Sequence, residues 1–275
     1  MSNILELFAG TGSFSKVAKA QGHIVFTSDY DEQFKTDYCV DILKFDISKV
    51  PFKPDIIWAS PPCETFSVAS IGHHWKGGNK AYIPKTDRAI KGQEYVKKAI
   101  YIIEELKPKY WIIENPRGVL RKLPFMQKFN RYTVTYCQYG DTRMKPTDLW
   151  SNVPNLVFKP MCKNGMPCHI SAPRGSSTGT QGIKTYIDRS RVPSELCESI
   201  LMQLTQLCVR PSHLEPVTLK ENIRRAPLSI SNICKNGHAY QDQSDFYKNK
   251  GSRRCHECHA QREARRRIAL SLSAT

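Results

Sequence analysis

The feature that most constrains this chain is a set of short apolar runs, each ending in a turn that carries a reactive or ligand-binding residue. Residues 3–8, His23–Ser28, Asp55–Ala59 and Tyr110–Ile113 are apolar and too short for helices, so they read as buried strands. Phe14–Gln21 and Gln93–Leu106 lie between them with apolar residues at helical spacing. Strands alternating with helices predict an α/β domain on a doubly wound, mostly parallel sheet. Such sheets bind ligands at the carboxyl ends of their strands. The residues just beyond each strand therefore matter most.

The first strand runs into Phe8-Ala9-Gly10-Thr11-Gly12 and then a helix. Glycines lack a Cβ and let the backbone approach a bound molecule. No glycine-rich run with Lys-Ser/Thr is present to cradle phosphates, which favours S-adenosylmethionine over a dinucleotide or ATP. Asp29 follows the second strand, where a carboxylate can hold both ribose hydroxyls. Asp41, in Val40-Asp41-Ile42, follows a further extended segment, within reach of an adenine amino group. Each feature also has a plainer reading: a tight turn for the glycines, a cap or solvated turn for the aspartates.

The third strand closes as Trp58-Ala59-Ser60-Pro61-Pro62-Cys63, and the fourth as Trp111-Ile112-Ile113-Glu114-Asn115-Pro116, with Glu114 51 residues after Cys63. The two prolines stiffen the turn and present the thiol at a strand end rather than within the strand. A thiolate and a carboxylic acid at neighbouring strand ends can attack an electron-poor ring and protonate it from the other side. Burial raises a carboxyl pKa and keeps it able to donate near neutrality. The thiol needs the opposite shift, which a nearby Arg or Lys supplies.

The chain has 275 residues, enough for one catalytic domain plus a small appendage. Its 41 basic and 25 acidic residues give a formal charge of +16, which favours a polyanionic partner. The sequence shows neither a bilayer-length apolar run nor a basic-then-apolar leader, so a soluble, cytoplasmic protein is expected. Most of the ten cysteines stand singly in apolar surroundings or in a short-spaced cluster near the end, which fits a reducing compartment.

These residues together resemble the cytosine-C5 DNA methyltransferases, most closely the short enzymes of that family encoded by bacteriophages. The likeness runs through the first 150 or so residues and resumes near 190–205. Phe8, Ala9, Gly10, Thr11 and Gly12 are similar to the family's cofactor loop, Asp29 to its ribose ligand and Asp41 to its adenine ligand. Pro62-Cys63 resembles the nucleophile motif, and Glu114-Asn115-Pro116 the motif that contacts the target base. Tyr139-Gly140 with Arg143 and Lys145 resembles the segment whose basic residues support the nucleophile. The resemblance implies a methyltransferase of the Rossmann-like type. It implies S-adenosylmethionine held by these residues and Pro61, catalysis by Cys63, Glu114 and Arg143, and a double-stranded DNA substrate with the cytosine flipped out. Three positions depart from the family pattern. Glu64 stands where Gln is usual, Lys145 where a second Arg is usual, and Arg189-Ser190-Arg191 precedes Val192-Pro193 where Gly-Asn is usual.

Other chemistries stay open on the residues. Ser60-Pro61-Pro62 also opens the motif of amino-group methyltransferases, but those need an aromatic residue where Cys63 stands. A tRNA cytosine-C5 methyltransferase would use the same chemistry. A DNA-binding protein with an inactive methyltransferase core would lack the loop, nucleophile or acid, and all three are present.

The predicted organisation is a catalytic domain over 1–150, a short target-recognition insert over 151–190, a returning catalytic helix within 191–210, a linker over 211–231 and a basic zinc-binding module over 232–275. Tyr132–Gln138 reads as a further strand, Leu149-Trp150 as the start of another, and Pro193–Cys208 as an amphipathic helix. Cys162 and Cys168 lie in the insert, where a metal would lack further obvious ligands. Arg174 and Gln181, in a loop rich in small polar residues, are the expected base readers. In the tail, Cys234, His238, Cys255 and Cys258 have spacing compatible with one tetrahedral Zn²⁺, with His256 and His259 as competing ligands. The 16 residues between His238 and Cys255 suffice for a small β ribbon. Arg262, Arg265 and Arg266 follow as phosphate contacts.

Overall fold

The computed structural model describes residues 1–77, 82–170, 183, 185–206, 246–249, 252–255 and 260. The chain forms two compact units, Met1–Val209 and Arg210–Thr275. In the first unit the elements run β1 (Asn3–Leu7), α1 (Ser13–Ala20), β2 (Ile24–Asp29), β3 (Tyr38–Cys39), β4 (Ile56–Ala59), α2 (Ile71–His74), β5 (Trp75–Lys76) and β6 (Ile83–Pro84). They continue as α3 (Asp87–Leu106), β7 (Tyr110–Pro116), β8 (Asn130–Thr135), β9 (Pro146–Ser151), α4 (Tyr186–Ser190) and α5 (Ser194–Gln206). The second unit contains β10 (Phe246–Asn249) and β11 (Ser252–Cys255), paired antiparallel as a ribbon.

Seven strands form one sheet in the order β3-β2-β1-β4-β7-β9-β8. The first five are mutually parallel, while β9 runs antiparallel to both β7 and β8. Side chains alternate across the sheet, as the pleat requires. Leu5, Leu7, Ile57, Ala59 and Ile113 face one core with Ala89, Val96, Ala99 and Ile103 of α3. Ile4, Ile56, Trp58 and Ile112 face the other, with Phe14 and Val17 of α1 and Leu196, Ile200 and Leu204 of α5. Apolar side chains on both faces explain why the central strands read as continuous apolar runs. Phe14 and Trp58 stack at 4.5 Å between ring centroids, packing α1 on the sheet. The chain leaves β1 towards β2 on one side and reaches β4 on the other. Reversals of this kind, at the carboxyl ends of β1 and β4, are where open α/β sheets bind their ligands.

Several boundaries differ from the sequence expectation. α3 begins at Asp87, because Thr86 caps it by accepting from the Ala89 N–H. β7 continues through Glu114-Asn115-Pro116, since β9 pairs alongside those residues. β8 ends at Thr135, and Tyr136–Tyr139 is a 3₁₀ turn closed by Gly140 at φ 80°. No helix among the described residues is long and apolar enough to cross a membrane.

Candidate active site

Cys63 hangs from a turn braced on three sides. Its base is fixed where Ser60 N–H donates to Leu7 O at 3.3 Å and the Trp58 indole N–H donates to Ser60 Oγ at 2.9 Å. Beyond it, Phe66 and Ser67 N–H groups donate back to Cys63 O at 3.0 and 3.1 Å. The third brace comes from β7, whose Asn115 Nδ2 donates to Pro61 O at 2.8 Å. The chain after β7 also leans on this turn: Val119 N–H donates to Phe66 O at 2.8 Å, and a Cβ on Gly118 would lie 2.0 Å from that same oxygen. Pro61 is buried and Cys63 half-buried, with the exposed Glu64 next in the turn.

Glu114 lies on β7, next to β4, and is buried. Tyr136, from the turn after β8, donates its hydroxyl hydrogen to Glu114 Oε1 at 2.8 Å. The same ring carries Lys145 Nζ at 4.8 Å from its centroid, and Lys145 also donates to Arg189 O at 2.9 Å. Burial pushes the Cys63 thiol above its ordinary pKa; the Lys145 charge opposes this and the Glu114 carboxylate reinforces it. The shift towards thiolate expected from sequence is therefore not reached, because desolvation outweighs the lysine.

Of the two basic residues expected to support the nucleophile, Lys145 is the one whose charge lowers the Cys63 pKa, while the Arg143 guanidinium is engaged by Asp141. Arg143 is buried, pairs with Asp141, and donates to the carbonyls of Asp188, Arg189 and Arg191 at 3.1, 3.1 and 3.3 Å. It binds the segment before β9 to the stretch around α4. Val192 N–H then donates to Ser13 Oγ at 3.2 Å, joining that stretch to the start of α1.

The glycine loop is built for close approach. Phe8, Gly10 and Gly12 have φ of 56°, 50° and 68°, and a Cβ built on Gly10 meets nothing within 4 Å. Asp29 is buried, accepting from Gly10 N–H at 2.8 Å through Oδ2 and from Asp31 N–H at 3.1 Å through Oδ1. Burial raises its pKa, and the backbone hydrogen bonds oppose that. Asp41 caps a 3₁₀ turn by accepting from Leu43 N–H at 3.0 Å through Oδ1. An open glycine turn without basic side chains, next to a buried carboxylate, suits a ribose and a sulfonium better than a polyphosphate.

Sequence reasoning missed Tyr136, Asp141, Asn115 as a tether, and Glu6. Glu6 lies in β1 beneath the loop, buried, and accepts from the Phe14 and Ser15 N–H groups at 3.3 and 2.8 Å. Burial raises its pKa from 4.5 to about 7. The one usable signal was a carboxylate inside an otherwise apolar strand. Arg174, Gln181, Cys234, His238, Cys258, Arg262, Arg265 and Arg266 lie outside the described residues, and Cys255 is described only as part of β11.

Comparison with known proteins places the chain in a family. Residues 2–132 match the family model for C-5 cytosine-specific DNA methylase. The chain is 33% identical over 221 residues to the probable DNA (cytosine-5)-methyltransferase of frog virus 3 (isolate Goorha), covering 74% of this chain and 99% of that protein. Among solved structures, Entamoeba histolytica methyltransferase EhMeth aligns with 14% identity over 59% of this chain and 57% of that one, at a TM-score of 0.41. S. pombe Dnmt2 methyltransferase aligns with 16% identity over 55% and 50%, at a TM-score of 0.40. The chain thus spans about half the length of these solved proteins but almost the whole of its viral relative. With this identity over the full length of the viral protein, the chain belongs to the C-5 cytosine-specific DNA methylase family.

Proposed function

We propose that Cys63 and Glu114 carry the family's reaction, methyl transfer to C5 of cytosine in DNA. One observation supports this above the rest: the two residues stand at the ends of adjacent parallel strands and are bound together by the Asn115–Pro61 hydrogen bond. The Cys63 sulfur adds to C6 of the flipped-out cytosine while Glu114 holds the proton at N3, which makes C5 nucleophilic. S-adenosylmethionine, when bound, supplies the methyl group to C5. The C5 proton then passes to solvent, the C5–H electrons expel the Cys63 thiolate, and the N3 proton returns to Glu114, which restores the ring. Asp29, Asp41, Pro61 and the Phe8–Gly12 loop are the residues we assign to the cofactor. Lys145 eases thiolate formation, and Arg143 positions Lys145 through their shared carbonyl, Arg189 O.

Double-stranded DNA is the substrate on this reading, with Arg174 and Gln181 meeting base edges and Arg262, Arg265 and Arg266 meeting phosphates. We further assign a structural Zn²⁺ to Cys234, His238, Cys255 and Cys258, because so short a module has little core of its own.

Methylated sites in DNA from cells expressing the protein, mapped by bisulfite sequencing, test the activity. Trapping on DNA carrying 5-fluorocytosine tests the mechanism, since fluorine cannot leave as the C5 proton does. Cys63→Ala should abolish both while adenosylmethionine still binds. Substantial methylation by Cys63→Ala would rule out the covalent route.

A further inference from the structure

Away from the crevice, Cys137, Cys162, Cys168 and His169 converge so that their ligand atoms all lie within 4.8 Å of one another. We propose that these four residues form a structural zinc site that ties the root of the insert to the turn behind Glu114. The sequence shows Cys162 and Cys168 without partners. The fold supplies the missing ones, Cys137 from the turn after β8 and His169 from beside Cys168.

The separations bracket those of a tetrahedral thiolate-imidazole shell. Cys162 Sγ lies 3.1 Å from Cys168 Sγ and 3.4 Å from His169 Nδ1, and Cys168 Sγ lies 3.8 Å from Cys137 Sγ and 3.9 Å from His169 Nδ1. With Zn–S near 2.3 Å and Zn–N near 2.0–2.1 Å, a tetrahedron separates its ligand atoms by roughly 3.5–3.8 Å. Ordinary burial does not account for the cluster. Cys168 is exposed, and three sulfurs with an imidazole pack less hydrocarbon than aliphatic side chains would. A Cys162–Cys168 disulfide would leave Cys137 and His169 converging for no purpose.

The surrounding backbone holds the ligands in place by itself. Cys162 N–H donates to Thr135 Oγ1 at 2.8 Å, and Ile170 N–H donates to Thr142 O at 2.9 Å. Four protein ligands leave no open position, so the ion is structural rather than catalytic. Binding replaces three thiol protons, which pass to solvent, with three Zn–S bonds and one Zn–N bond. The ion would lock Cys137 in place. Its neighbour Tyr136 is the partner of Glu114, so the insert would be coupled mechanically to the active site.

Metal analysis of the full chain, beside C162S/C168S and C234S/C258S variants, provides the test. We expect C162S/C168S to lose about one zinc per chain and C234S/C258S to keep that ion. Cobalt exchanged into C234S/C258S should give thiolate-to-cobalt charge-transfer bands and a tetrahedral visible spectrum. Those bands decide the matter even if C162S/C168S fails to fold. Unchanged zinc in C162S/C168S, absent cobalt-thiolate bands, or a Cys162–Cys168 disulfide in peptide maps would overturn the site. None of these measurements depends on methyl transfer.

Discussion

Tyr136 and Glu114 share a buried hydrogen bond of 2.8 Å that joins the turn after β8 to the end of β7. Burial and the adjacent Glu114 charge hold the Tyr136 phenol well above its usual range, so it remains a donor at any working pH. Glu114 Oε1 is thereby committed, and Oε2 has no hydrogen-bond partner among the described residues. A base entering the crevice meets a carboxyl group already fixed in plane and orientation.

Tyr136→Phe keeps the ring and removes only that bond. Leaving a buried carboxyl group short of a partner costs about 1–3 kcal/mol; if the bond is needed in the transition state, kcat should fall roughly 5- to 150-fold. Adenosylmethionine affinity should stay unchanged, because Tyr136 touches no cofactor residue. Steady-state kinetics with a binding titration check this. A variant with wild-type kcat would remove Tyr136 from the site's architecture.

Lys145 should set the pH at which Cys63 becomes reactive. The thiol is raised by burial and partly restored by this lysine, so the neutral thiol predominates at neutral pH. Its reactivity should therefore climb about tenfold per pH unit on the alkaline side. Removing the opposing charge in Lys145→Gln raises the thiol pKa further, which moves that limb to higher pH and lowers the rate at neutrality. Lys145→Arg should restore most of it. Alkylation of Cys63 followed by peptide mass spectrometry across pH measures the limb directly. Superimposable profiles for wild type and Lys145→Gln would show that the lysine charge does not reach the sulfur.

Gly118 leaves room for the nucleophile turn. A methyl group there would meet Phe66 O at 2.0 Å and Phe66 C at 2.9 Å, both backbone atoms that cannot rotate away. Gly118→Ala should push the turn carrying Cys63 off β7, costing about 1–3 kcal/mol of stability and at least tenfold in trapping rate. Thermal unfolding and 5-fluorocytosine trapping report the two effects. A fully active Gly118→Ala protein would mean that the turn repacks freely.

What the sequence displays depends on how local the cause is. β1, β4 and the start of β7 were legible because central parallel strands bury both faces, and β2 because it is a short apolar run beside them. The Phe8–Gly12 turn and the turn carrying Cys63 were legible because glycines and prolines impose backbone geometry on the spot. Tyr136 was not, since it sits in a run that reads as strand, and its partner lies 22 residues away in sequence. Cys137 and His169 also became ligand candidates only once the fold had brought them to Cys162 and Cys168. The Asp141–Arg143 pair was hidden too, because a polar pair within a turn leaves no apolar pattern. Long-range polar pairing leaves no periodicity to read.

Glu6 should make the fold less stable as pH rises through neutrality. Its carboxyl is buried and its pKa raised from 4.5 to about 7, chiefly by desolvation and despite the two N–H donors of α1. A group with a raised folded-state pKa contributes its full stability below about pH 4.5, where both states are protonated. That contribution is lost as pH climbs through about 7. The two and a half units between the values correspond to ~3 kcal/mol, most of it lost between about pH 5 and pH 7. Glu6→Gln cannot ionise, so its stability should stay flat over that interval relative to wild type. Urea unfolding midpoints of both proteins at about pH 5 and about pH 8 provide the comparison. The gap between them should shift in favour of the variant at the higher pH. Parallel behaviour of the two proteins would mean that the α1 N–H groups keep Glu6 ionised throughout, with desolvation the weaker effect.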